Sequence, residues 1–111
     1  MPEYALVLVT APSVEEAESL GRLLLDRRLV ACANLVPGLT SLFWWEGKLD
    51  RAEEVLVLMK TRQELLPQVT QAVVEAHSYE VCEVIALPIV GGSEAYLRWI
   101  DESLRQDGCR A

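Results

Sequence analysis

The 111-residue sequence is short of several things. It has one histidine, one phenylalanine and three cysteines, Cys32, Cys82 and Cys109, that are neither paired in number nor closely spaced. Such a set gives no disulfide framework and no CxxC metal motif. Positive charge is scarce: ten Lys and Arg stand against seventeen Asp and Glu, a net charge of −7. Nucleic acids and anionic membrane surfaces require a basic footprint, so neither is expected as a partner. The opening MPEYALVLVTAP has no basic n-region and only a short apolar run, so it reads as a strand rather than a signal peptide or a membrane span. No Ser/His/Asp order, HExxH, P-loop or GxGxxG occurs, so no enzyme class is signalled and no catalytic residue is assigned. Repeats, low-complexity tracts and linkers are absent as well. The expectation is a single domain over residues 1–111 in a reducing, cytoplasmic setting.

What is present is a clear alternation of periods. Tyr4 to Thr10 is apolar on both faces, the pattern of a central strand. Ser13 and Glu16 are placed as a capping box before a helix striped by Val14, Ala17, Leu20, Leu24 and Leu25. Two strands then meet near Glu46–Gly47–Lys48, the first from Cys32 to Trp45 and the second from Glu54 to Lys60. Pro37–Gly38 predicts a bulge or an edge position in the first of them. A second helix is expected over about Arg62 to Ala76, with Thr61 and Glu64 as another capping box. Pro67 requires either a separate first turn or a start at the proline itself. A fourth strand covers Glu80 to Val90, and Ser93 caps a last helix bearing Tyr96, Leu97, Trp99, Ile100 and Leu104. The order β-α-β-β-α-β-α predicts an α+β, ferredoxin-like split βαβ fold. It has a four-stranded antiparallel sheet, two helices on one face and an added C-terminal helix.

One strand is too long for its domain. Cys32 to Trp45 would span about 45 Å when extended, against a globule diameter of about 35 Å for this chain length. Its tip carries Leu42, Phe43, Trp44 and Trp45 in succession, so both faces are apolar. A monomer would expose a long edge and an apolar patch, which predicts burial against other copies of the chain.

The stretch AHSYEVCEV, Ala76 to Val84, holds most of the donor chemistry. His77 is the natural metal ligand or acid/base, although a charged imidazole at a helix C-terminus also complements the helix dipole. Tyr79 and Glu83 converge with it if the loop folds back. Cys82 alternates with Glu83 on the expected strand, and it reads as a small buried hydrophobe. Lys60 would hold an anion or pair with Glu83. Trp44 and Trp45 read as packing groups at the hairpin tip, where they would also be able to stack a ligand.

TAP at Thr10 to Pro12 and LVACANLVPGLTSLFWWEGKL at Leu29 to Leu49 resemble the CutA family of divalent-cation tolerance proteins, as do LMKT, HSYEVCEVIALPI and YLRWI further on. The likeness is collinear from about Tyr4 to Leu104. It implies a homotrimer whose long hairpins extend neighbouring sheets. It also implies a role in tolerance of divalent ions, with binding of copper or another divalent cation, and an architecture like that of the PII signalling proteins. His77, Glu83 and Cys32 become the candidate metal ligands, with Lys60, Tyr79 and Trp45 lining an inter-subunit cleft. At the positions proposed for copper in one branch this chain has Val9, Ala76 and His77, and Ser78 and Cys82 stand where the family has prolines. A PII-like trimeric sensor or scaffold without a physiological metal is the alternative reading, and an enzyme using His77 and Glu83 as acid and base is a third.

Overall fold

A computed structural model describes residues 4–106. Along the chain run β1 (Tyr4–Ala11), α1 (Val14–Asp26), β2 (Cys32–Trp45), β3 (Lys48–Arg62), α2 (Leu66–Ala76), β4 (Val84–Ile89) and α3 (Glu94–Ser103). The strands form one antiparallel sheet in the order β2-β3-β1-β4, the arrangement that the element order predicts. β1 pairs on both sides, with β3 and β4, which accounts for a strand apolar on both faces. Val7, Val9, Val55, Val57 and Met59 point to one side of the sheet and are buried against Leu20 and Leu24 of α1 and Val69 and Val73 of α2. On the other side Leu6 and Leu8 are only half-buried, and Ile85 and Leu87 are 54% and 50% exposed. No helix among the described residues is long and apolar enough to cross a membrane.

Ser13 caps α1, its Oγ accepting the Glu16 N–H at 3.1 Å. The reciprocal half of the box is missing, because the Glu16 carboxylate turns to the loop after α2 and accepts the Ser78 N–H at 2.8 Å. The second expected box does not form. Thr61 is fully buried and donates its hydroxyl to the Leu29 carbonyl at 2.7 Å, joining β3 to the loop after α1. A single 3₁₀ turn, Gln63–Leu65, comes first, and Pro67 then falls in the opening turn of α2, where a missing N–H leaves no bond unmade. Arg62, also buried, donates to Asp101 and so ties the end of β3 to α3.

Two strand boundaries differ from expectation. β3 reaches from Lys48 rather than Glu54, because its polar first half pairs with β2 all the way to the turn. β4 begins at Val84 rather than Glu80: its pairing with β1 ends at Val9–Val84, and the next β1 carbonyl, that of Thr10, is taken by the His77 ring. Cys82 and Glu83 therefore lie in the loop before β4, and strand alternation does not govern them. Cys109 lies outside the described residues.

The hairpin closes on Glu46 and Gly47, both at positive φ (51° and 80°), as a two-residue turn. Between Val36 and Leu39 the register with β3 slips by one residue, and Gly38 sits at φ 81°. This bulge inverts the parity of β2. Cys32, Asn34 and Val36 share the helix-free face before it, whereas Leu39, Ser41, Phe43 and Trp45 share that face after it.

Candidate functional site

The end of β1, the loop after α2 and the outer half of the hairpin together line an open cleft of about 640 Å³. Opposite Phe43 stands Asp50, and opposite Leu39 stands Glu54, so register places Phe43, Trp45, Asp50 and Glu54 on one wall. The other wall is the loop Tyr79 to Glu83.

His77 fixes that loop. Its side chain is fully buried, and its Nε2 donates to the Thr10 carbonyl at 2.7 Å, because a carbonyl can only accept. Its Nδ1 accepts the Tyr79 N–H at 3.0 Å. Both ring nitrogens are thereby engaged, and the ring is the Nε2–H tautomer; Glu16 Oε2 lies 3.4 Å from Nδ1 as a neighbour. The dipole role expected of a charged His77 is thus replaced by a strut between the end of β1 and the loop. The imidazole also packs on the Tyr79 ring, centroid to centroid 4.8 Å. Tyr79 in turn donates its hydroxyl to Glu54 Oε2 at 2.9 Å. Burial first, then the bond to Glu54 and the charges of Glu54 and Glu16, push the Tyr79 hydroxyl up to about 12. It stays a proton donor to a carboxylate.

Of the residues singled out from sequence, Tyr79, Glu83, Trp45 and Cys82 line the cleft, and His77 stands behind it as support. Burial raises the Cys82 thiol above its ordinary value, which keeps it protonated and a poor soft ligand. Cys32 and Lys60 lie elsewhere. They face each other across β2 and β3, six residues up β3 from Glu54, or about 20 Å. There Cys32 Sγ is 3.6 Å from the Tyr96 hydroxyl, and Lys60 donates to Asn34 Oδ1 rather than pairing with Glu83, from which β1 separates its strand. Among the described residues no three His, Cys, Asp or Glu side chains are grouped to hold a metal ion. His77, Glu83 and Cys32 do not come together within one chain, and these residues alone do not fit a metal centre.

Sequence reasoning does not single out Glu54 or Asp50. The signal for them was available in Pro37–Gly38, since a one-residue bulge there decides which alternate residues of the hairpin share the face of Tyr79.

The CutA1 divalent ion tolerance protein family model matches residues 5–103. A chloroplastic CutA 1 of Oryza sativa is 45% identical over 91% of this chain and 57% of its own length, so the chain spans little more than half of that relative. The CutA divalent-cation tolerance protein of Thermus thermophilus is 42% identical over 88% of this chain and 95% of its own. Among solved structures, CutA1 from Oryza sativa superposes with a TM-score of 0.91 at 43% identity, covering 95% of this chain and 96% of that one. The Thermus thermophilus structure gives 0.89 at 40% identity, over 92% and 99%. With the family model matched over most of the chain and relatives above 30% identity covered along most of it, the chain belongs to the CutA1 divalent ion tolerance family.

Proposed function

We propose that this chain, acting over residues 1–111 as one CutA-like domain, serves tolerance of divalent metal ions as a homotrimer, through a cleft completed between subunits. The observation that carries this reading is the cleft itself. Four carboxylates, Asp50, Glu54, Glu80 and Glu83, line it, and no cationic side chain pairs with any of them among the described residues. Such a surface attracts cations without fixing them, so binding of copper or another divalent ion is weak, and Glu83 is its natural contact. Cys32 would join only as a residue of another subunit, and His77 only by giving up Thr10 or Tyr79. The free thiols Cys32 and Cys82 suit a reducing compartment such as the cytoplasm. Nothing in this role calls for catalysis.

Copper titration by calorimetry on the purified oligomer tests the reading. Glu83→Gln should weaken Cu²⁺ binding several-fold, while Cys32→Ala, about 20 Å away along the sheet, should leave it within about twofold. Unchanged binding in a folded Glu83→Gln would remove Glu83 from the site, and loss of binding in Cys32→Ala would bring another subunit's Cys32 into it.

A second reading rests on a different observation: about 640 Å³ is far more than an ion fills and matches a small organic ligand. On it, the trimer is a PII-like sensor or scaffold whose cleft holds a small molecule, with metals incidental.

A further inference from the structure

The His77 ring holds the loop by one nitrogen only, and a single proton would undo that hold. Nε2 donates to the Thr10 carbonyl, so Nδ1 carries a lone pair, which the Tyr79 N–H occupies at 3.0 Å. Glu16 Oε2 stands 3.4 Å from the same nitrogen and accepts the Ser78 N–H at 2.8 Å. Two electron-rich atoms thus lie side by side with no proton between them. A proton added to Nδ1 from solvent reverses both contacts. Nδ1–H would face the Tyr79 N–H donor to donor, and the same hydrogen would gain a charged acceptor in Glu16. The side chain is fully buried, so its cation needs that carboxylate, whereas its neutral form needs Tyr79. The Nε2 bond to Thr10 serves both forms, and the ring keeps its place.

The surroundings leave this exchange to His77 and Glu16. Facing the ring are Glu16 from α1, Tyr79 from the loop and, behind Tyr79, Glu54 from β3; Cys82 lies within reach of the Glu16 charge. α2 and β1 meet the residue through the Val73 and Thr10 carbonyls. Among the described residues no Lys or Arg pairs with Glu16. Burial raises the Tyr79 and Cys82 hydrogens out of reach, while an imidazole changes charge between about pH 5 and 8. All of these groups belong to one chain, so the exchange requires neither a ligand nor a neighbouring copy.

We propose that His77 and Glu16 form an acid-sensitive latch on loop 79–83: a proton on Nδ1 turns the ring from Tyr79 to Glu16 and frees that wall of the cleft. The inference goes beyond both readings of the cleft and holds whichever ligand the cleft takes. The chain's single histidine makes the test direct. The purified, tag-free oligomer, labelled with nitrogen-15, is titrated between about pH 8 and 5 by NMR. Ring nitrogen shifts should show Nε2–H with a bare Nδ1 at the alkaline end and both nitrogens protonated at the acid end. The Tyr79 amide should lose its hydrogen-bonded shift at the same midpoint. Its hydrogen exchange, corrected for the intrinsic effect of pH, should quicken about five- to tenfold. Glu16→Gln keeps an acceptor for Ser78 but offers the imidazolium no charge, so both changes should move together to lower pH. A Tyr79 amide that stays bonded while His77 titrates overturns the latch, as does a ring still neutral at about pH 5. A midpoint left unmoved by Glu16→Gln overturns the pairing with Glu16, and the parent titration decides the latch by itself if that variant does not fold.

Discussion

A lone imidazole is a ligand or a strut according to where its two nitrogens go. In this chain both go to backbone, to the Thr10 carbonyl and the Tyr79 amide. His77→Ala removes a fully buried ring and leaves those two backbone groups unmet. Destabilisation of about 2–4 kcal/mol is expected, read as a lower denaturant midpoint at unchanged slope. Tyr79 carries a pH signature of the opposite kind from a buried acid's partner. Its folded value lies near 12, above the ordinary 10.0, so the protonated phenol is favoured by folding. That contribution is complete below pH 10 and is lost as pH rises from 10 toward 12. Tyr96, held up to about 12 first by its bond to Cys32 and then by burial, adds a loss of the same sign. Tyr79→Phe should therefore flatten part of the alkaline fall in stability between pH 10 and 12. A midpoint that falls as steeply in the variant as in the parent would show that the Tyr79 hydroxyl is not coupled to folding.

At the scale of elements, the β2 bulge decides what the hairpin presents. Gly38 holds φ 81° with open space around it, so a side chain there meets backbone strain and no clash. Gly38→Val should cost about 1–2 kcal/mol in chemical denaturation, whereas Gly91→Ala, with ordinary φ and open space, should stay within about 0.5 kcal/mol. Equal effects at the two glycines would remove the conformational argument for the bulge. The elements themselves were legible because period and punctuation agree: Ser13 does cap α1, and Pro67 does mark a separate turn. The boundaries that moved were set by partners that no local pattern reports. β4 starts where the His77 ring has taken the Thr10 carbonyl of β1, and Thr61 leaves its cap position to donate to the Leu29 carbonyl. The site was legible in the same uneven way. Tyr79, Glu83 and Trp45 stand out by type and setting, but Glu54 looks like one more charge in a polar strand until the register is known.

The whole molecule has the shape that the long strand demands. Its extents are 44 × 27 × 24 Å and its radius of gyration is 14.6 Å, against about 13 Å for a compact chain of this length. The excess is the hairpin, whose outer half carries Leu42 at 75%, Trp44 at 72% and Leu49 at 70% exposure. Leu6, Leu8, Ile85 and Leu87 add a second apolar surface on the helix-free face of the sheet. Two such surfaces on one small chain are satisfied together when copies pack sheet faces inward and lay hairpins on neighbours. For the homotrimer proposed above, sedimentation equilibrium should give three times the 12.4 kDa chain mass at micromolar concentration. Thermal unfolding should shift upward with protein concentration or proceed slowly. Replacing Phe43, Trp44 and Trp45 together by serine keeps strand length but removes the packing groups, so monomers or aggregates are expected. A soluble trimer of unchanged midpoint after that replacement would show that the tip does not hold the assembly together, and would leave the sheet face as the surface that does.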